Sequence, residues 1–427
     1  MKLDRKVAPA IVDAVNFEFT LPECHQEIGA NKIPLYWLQA GAQEVIQISW
    51  VFEAGIWNEY KTAVSQATSA LLKNGTIERT AFDINEAIEF YGASVKVSTN
   101  NDYTTISLHS LSKHIDAVLP IVADILFNAQ FPQHELDIYK QNALQRLSVN
   151  LMKSEFIANR NIDAMLFGKG FPYGKFTEAE DVTALTREDL IQFYQENFTS
   201  ANCRIFIAGN YPLSVIASIK NTFCSKDWGT PRTSTPEHIL EPSSEMQQFI
   251  QNDEQGVQGA IRIARRFINR NHPEFVECLV LNTILGGYFG SRLMENIREE
   301  KGYTYGIYSN LLAYKHECVL MIATEAGSDV CQATMEEVYK EMKRLQEELI
   351  DEDELNLVKN YILGGILGDL EGPFSIMQRW KSLILNGLDE RYFYSNIETY
   401  KNITSERLQA LAQKYLNKED FYELLVI

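Results

Sequence analysis

Arg298-Glu299-Glu300-Lys301-Gly302-Tyr303-Thr304-Tyr305, with Leu285-Gly286-Gly287-Tyr288-Phe289-Gly290-Ser291-Arg292-Leu293 just upstream, is the stretch on which the reading of this chain turns. The upstream segment reads as a glycine-rich turn followed by a helical start, and Gly302 then breaks the helix. Gly286, Gly287 and Gly290 either let a ligand approach the backbone or let strand, turn and helix pack tightly, because glycine has no Cβ to block either. Read alone, Arg298 is an exposed helix residue between Glu295 and Glu299, ion-paired along the helix face. The glycine-rich turn before it and Tyr305 at a fixed spacing after it point instead to a functional pair. Tyr303 and Tyr308 read as packing residues.

Working outward, the chain repeats itself at long range. Leu185-Thr186-Arg187-Glu188-Asp189-Leu190 leads into the apolar strand Arg204 to Gly209, and Ile403-Thr404-Ser405-Glu406-Arg407-Leu408 leads into Glu423 to Ile427. Each reads as a Thr-capped helix with an acidic first turn, followed by a strand. Thr186 and Thr404 are 218 residues apart. At a similar shift, Val45 to Val51 pairs with Val257 to Ile263, Gly92 with Gly306, and the helix Lys113 to Leu126 with Cys331 to Leu345. A period this long is a duplicated domain, not a solenoid. Alternating strands such as Ala93 to Leu108, with helices in separate runs, predict α+β halves, each a mainly antiparallel sheet packed with helices. The expected domains are 1–227 and 241–427, with 228–240 as linker around Trp228-Gly229-Thr230-Pro231 to Pro236.

At 427 residues and 45% hydrophobic content the chain has room for two cores, since single domains rarely exceed ~250 residues. A net charge of −18 argues against nucleic acid or anionic membrane, which demand clustered Lys and Arg. No run reaches the ~18 apolar residues of a membrane span, and the N-terminal residues lack a signal-peptide core. The six cysteines (Cys24, Cys203, Cys224, Cys278, Cys318, Cys331) form no Cys-x-x-Cys pair, which predicts buried thiols in a cytoplasmic protein. Among seven histidines no two stand at i, i+4 with a carboxylate, so no zinc site is expected from them. No nucleophile elbow or phosphate loop is present.

The Arg298 to Tyr305 stretch, the glycine-rich turn and the Leu185 to Gly209 block together resemble the pitrilysin-type zinc peptidases of the mitochondrial processing peptidase class. The resemblance runs from Leu3-Asp4-Arg5 through Gly170-Phe171-Pro172-Tyr173-Gly174 to the last strand. It implies two homologous halves clamped around a central chamber, with substrate held as an added strand on a sheet edge. The matching edge is Gly92 to Thr99, where Val95-Lys96 departs from the family's Asn-Ala pair. It also implies an inverted zinc motif, His-x-x-Glu-His, before a Gly-Thr turn, with a glutamate ligand roughly seventy-five residues on. Before Gly75-Thr76 this chain has Gln66 and Ala70 in the histidine places and Ser69 in the place of the general base. Around the third ligand it reads Leu144-Gln145-Arg146-Leu147, with Gln145 and no carboxylate. No zinc or other cofactor is therefore expected in this chain.

In that family an arginine and a tyrosine reach the substrate and the developing oxyanion, and the matching positions are Arg298 and Tyr305. The resemblance implies a substrate-binding, non-zinc subunit of a heterodimeric metalloendopeptidase acting on peptides or unfolded segments. Such a chain is inactive alone, and its partner is a paralogous subunit with His-x-x-Glu-His that carries the zinc. The competing expectation is a catalytically inactive scaffold of the same family.

Overall fold

The computed structural model describes residues 12–230 and 236–427. The start Leu3-Asp4-Arg5 and the linker residues 231–235 lie outside the described residues. The first half runs β1 (His25–Ile28), β2 (Pro34–Gln39), β3 (Val45–Phe52), α1 (Val64–Leu71), α2 (Ala81–Glu89), β4 (Ser94–Thr99), β5 (Thr104–Leu111) and α3 (Ile115–Asn128). It continues with α4 (Gln133–Leu151), α5 (Ser154–Phe167), α6 (Ala179–Ala184), α7 (Arg187–Asn197), β6 (Cys203–Gly209) and α8 (Ser214–Phe223). The second half runs β7 (Gln247–Ile250), β8 (Gln258–Phe267), α9 (Phe275–Asn282), β9 (Thr304–Ala313), β10 (Cys318–Gly327), α10 (Cys331–Glu347) and α11 (Glu352–Asp369). It closes with α12 (Pro373–Leu385), α13 (Glu390–Asn402), α14 (Ser405–Tyr415) and β11 (Tyr422–Val426).

The sheets are ordered β1-β2-β6-β3-β5-β4 and β7-β11-β8-β10-β9. Setting β1 aside, the two orders are the same. In each, one parallel pair (β2 with β6, β7 with β11) stands beside otherwise antiparallel neighbours. The duplication read from the caps is therefore a duplication of topology. Thr186 accepts the Asp189 amide at 3.2 Å while Asp189 accepts the Thr186 amide at 2.7 Å, a reciprocal box. Thr404 caps α14 through the Arg407 amide at 3.3 Å, and arginine at that third position leaves no return bond.

One pairing of the repeat is corrected by backbone geometry. Gly92 and Gly302 each stand two residues before an edge strand, with φ of +62° and +66°. Gly306 lies inside β9, so the counterpart of Gly92 is Gly302. Both terminate a helical segment in the left-handed region, where a Cβ is disfavoured.

The halves exchange helices. α5 lays Ala158, Ile162 and Leu166 on Ala260, Ala264 and Val426 of the second sheet. α12 lies against β2 and β6 of the first, with Ile376 and Met377 in one core with Phe206 and Ala208. Each sheet is thus covered on one face by its own helices and on the other by a helix of its sibling, which explains buried side chains at both faces of β8. The connection between halves is tied along this seam: Glu241 and Ser243 amides bond the Phe167 and Met165 carbonyls at 3.2 and 2.8 Å. Trp228 packs into the first half against Phe127 and bonds the Phe223 carbonyl at 3.0 Å.

The tips of equivalent hairpins also meet. Asp102, between β4 and β5, accepts the Tyr173 hydroxyl at 2.5 Å and the Lys315 amide at 3.0 Å, Lys315 lying between β9 and β10. The His316 ring stacks on Trp57 at 3.8 Å. Beside this contact a cavity of about 700 Å³ opens between the halves, walled by Lys96 and Ser98 of β4, Tyr314 and Lys381 of α12. Five of the six cysteines are buried, Cys24 is partly exposed, and all six are free thiols.

Candidate functional site

After α9 the helix does not stop but widens into a π-helical turn, Thr283–Gly287, and a second π-helical segment, Met294–Glu300, carries Arg298. A Cβ on Gly286 would stand 2.7 Å from the Ser309 amide nitrogen and 2.8 Å from the Ser309 Cβ. Gly286 is therefore glycine because the turn packs on β9, the second of the two readings above. Asn282 fixes the same contact, donating to the Ser309 carbonyl at 3.0 Å and accepting its hydroxyl at 2.6 Å. Arg292 forks onto Glu354 of α11 at 2.9 and 2.8 Å. Asn296 reaches Glu337 and Glu341 of α10 at 3.2 and 2.6 Å. Burial would raise the Glu337 carboxyl, but bonds from Lys340 and Asn296 outweigh it and hold it below the usual range.

On this anchored segment Arg298 itself is lightly held. Its guanidinium lies over the Phe289 ring at 4.4 Å and 3.7 Å from Glu299. The ion pair along the helix face is present, yet at that length between partly exposed groups it contributes little. Phe289, 58% exposed, is the platform. In the sequence its only mark is its place inside the glycine-rich turn.

Tyr305 is 93% exposed. β9 and β10 lose register between Thr324 and Ala326: Ala326 pairs with Thr304 and Thr324 with Ile307. Tyr305 and Gly306 therefore stand opposite Glu325 alone, a β-bulge, which re-aims a side chain out of the alternation of its strand. The bulge is held by hydroxyls. Thr304 accepts the Gly306 amide at 3.1 Å and donates to the Glu325 carbonyl at 2.7 Å, and Thr324 donates to the Gly306 carbonyl at 2.9 Å. The matching β4–β5 pair keeps one register throughout. Tyr303 packs partly buried against the core as expected, whereas Tyr308 is 46% exposed with its ring over Gly306.

The positions matched to the zinc motif lie on α1 and α4. Gln66 and Ala70 face outward from α1 while Ser69 is buried, bonded to Thr104 at 3.0 Å. Gln66 borders a cavity of about 480 Å³ whose wall comes entirely from the first half. Of Leu144 to Leu147, it is Arg146, not Gln145, that shares this cavity with Gln66; Gln145 faces the neighbouring cleft with Ala70. One step along a helix turns a side chain by about 100°, and the sequence alone did not fix that phase. Glu59, the carboxylate at this wall, accepts the Ser65 amide and hydroxyl at 2.9 and 2.6 Å, and burial raises it above the usual range despite those bonds. An amide, a methyl and a guanidinium do not fit a zinc ion, and no cluster of three or more His, Cys, Asp or Glu placed to hold a metal occurs among the described residues. Arg298 and Tyr305 border neither this cavity nor the neighbouring cleft.

Comparison with known proteins agrees with the geometry. A family model described as Insulinase (Peptidase family M16) matches residues 51–170, and one described as Peptidase M16 inactive domain matches residues 184–362. "Uncharacterized zinc protease YmxG" of Bacillus subtilis is 24% identical over 389 residues, 87% of this chain and 92% of the relative. "Non-peptidase homolog YmxG" of Helicobacter pylori is 22% identical over 347 residues, covering 80% of this chain and 79% of the relative. The crystal structure of a peptidase M16 inactive domain from Pseudomonas fluorescens superposes with a TM-score of 0.85 at 21% identity, over 94% of this chain and 98% of that one. No helix among the described residues is long and apolar enough to cross a membrane.

Proposed function

The chain belongs to the M16 peptidase family, and we propose that within it this is the substrate-binding, non-zinc subunit of a two-chain metalloendopeptidase of the processing-peptidase type. The observation that carries the reading is the built-out pair. Tyr305 is thrown clear of its strand by a hydroxyl-held bulge, and Arg298 rests on Phe289 in the helical segment that leads into β9. A structural subunit gains nothing from holding an unbonded phenol in water.

The partner chain, a paralogue with His-x-x-Glu-His, would hold the zinc ion and so supply the water-activating chemistry. In this chain the Tyr305 hydroxyl donates to the peptide oxygen as it becomes anionic, an interaction stronger in the transition state than in the ground state. Arg298, whose charge does not titrate away, holds the carbonyls beside the scissile bond with its fixed donors. The peptide lies extended along a sheet edge, where main-chain bonds give affinity. The six unpaired thiols fit a reducing compartment, the cytoplasm.

A second reading, a scaffold without proteolytic role, draws on the replacement of the motif's two histidines by Gln66 and Ala70 and of its glutamate by Ser69. Co-purification of the tagged chain from its host, followed by metal and peptidase assays, separates the two. The expected result is a paralogous zinc-bearing partner, activity only in the pair, and no zinc on this chain alone. About one tightly held zinc per isolated chain, removed by chelator together with activity, would sink the proposal.

A further inference from the structure

The cavity at Gln66 is not merely a metal site with its ligands removed, because its wall holds more cations than carboxylates. Three cations, Arg146, Arg160 and Lys175, stand at its wall. Arg160 is already engaged: it lies over the Phe176 ring at 3.9 Å and is ion-paired with Glu178, though its Nη1 is buried without a hydrogen-bond partner. Arg146 and Lys175 have no carboxylate within 4 Å among the described residues. The carboxylate at the wall, Glu59, takes both Ser65 bonds on one oxygen, Oε1, and stands within electrostatic reach of Lys175 but beyond ion-pair distance. In a chain of net charge −18, an open cavity with two unpaired cations runs against the average surface. Tyr139, Phe156 and Phe176 make much of the remaining wall apolar. The volume falls in the range of small-ligand sites, ~300–1,000 Å³.

We infer that this cavity binds a carboxylate carried on an apolar body, with Arg146 and Lys175 taking the carboxylate and the aromatic wall covering the body. The planar guanidinium offers two parallel N–H groups to the two carboxylate oxygens, and the ammonium adds a point charge. A cation would be repelled from the same place. The carboxylate has two sources, the C-terminus of a peptide with an apolar last residue or a free small arylalkanoic acid. The site is independent of any zinc-bearing partner, and binding is read on this chain alone.

The test is calorimetric titration of the full chain at low ionic strength with three probes: an N-acetylated hexapeptide ending in phenylalanine with a free carboxylate, the same peptide as its C-terminal amide, and 3-phenylpropionate. The free acid peptide is expected to bind at least ten-fold more tightly than the amide. Arg146→Gln and Lys175→Gln should each weaken the acid about ten-fold and leave the amide unchanged. Arg146 is exposed and Lys175 only partly buried, so both variants keep the fold, as melting by circular dichroism checks. Competition by 3-phenylpropionate at matched concentration assigns the ligand to free acids, and its failure to compete assigns it to peptide C-termini; either supports the site. Equal binding of acid and amide, binding of neither, a carboxylate preference unmoved by both substitutions, or full displacement by inorganic phosphate overturns it.

Discussion

Replacing Asp102 with alanine tests whether the two halves are locked together at their hairpin tips. Asp102 is 8% exposed and accepts the Lys315 amide from across the seam and the Tyr173 hydroxyl from its own half, a hydroxyl that in turn accepts the His316 amide across the seam at 3.3 Å. Bonds to a charged acceptor contribute about 1.5–3 kcal/mol each, and their loss leaves two partly buried donors without the acceptor that satisfied them. The substitution should therefore cost about 3–5 kcal/mol, a large fraction of a typical stability of about 5–15 kcal/mol. Tyr173→Phe removes one of the two bonds and should cost about 1.5–3 kcal/mol. Because the residues touch, the double variant should be less destabilised than the sum, with a coupling of about 1 kcal/mol or more. Urea unfolding followed by far-UV circular dichroism gives all three values. A loss below about 1 kcal/mol for Asp102→Ala, or strict additivity of the pair, would refute the lock.

Burial raises the Asp163 carboxyl on α5 to about 7 from 3.8, so the folded state holds its proton over that interval while the unfolded state releases it. This contribution is full below the unfolded value and is lost as pH rises toward 7, at no more than about 1.4 kcal/mol per pH unit; Asp163→Asn should flatten stability between pH 4 and 7, and an unchanged slope removes the assignment. Gly302→Ala and Gly92→Ala force alanine to φ near +66° and +62° in open space, and each should cost about 1–2 kcal/mol. Only Gly302→Ala should also impair turnover of the proposed two-chain enzyme, because it joins Arg298 to Tyr305; equal effects on turnover would contradict that.

The halves were legible because local signals repeat. Thr186 and Thr404 cap helices by side-chain bonds to amides three residues on, and such bonds leave a spacing in the sequence. The exchange of α5 and α12 left no such trace: Ile162 and Leu166 announce an apolar face but not which sheet it covers. The bulge at Tyr305 was invisible for a similar reason, since it exists only in register against Glu325, a residue twenty positions away. Glycine pairing by apparent offset chose Gly306 where the backbone angle selects Gly302. Within the lost metal motif the helix phase of α4 decided between Gln145 and Arg146, and only the packing of α4 beside α1 shows which one meets Gln66.

The turnover of Tyr305→Phe in the complex with a His-x-x-Glu-His chain is the most direct measurement of the central claim. The hydroxyl has no hydrogen-bond partner among the described residues and the residue is 93% exposed, so the unfolding midpoint and the affinity for the partner should stay at wild-type values. Loss of one oxyanion donor should nevertheless lower kcat about 100- to 1,000-fold, with Arg298→Ala impairing KM as well. A complex that keeps full kcat and KM with both substitutions would show that Arg298 and Tyr305 take no part in the reaction, and that the chain is a scaffold.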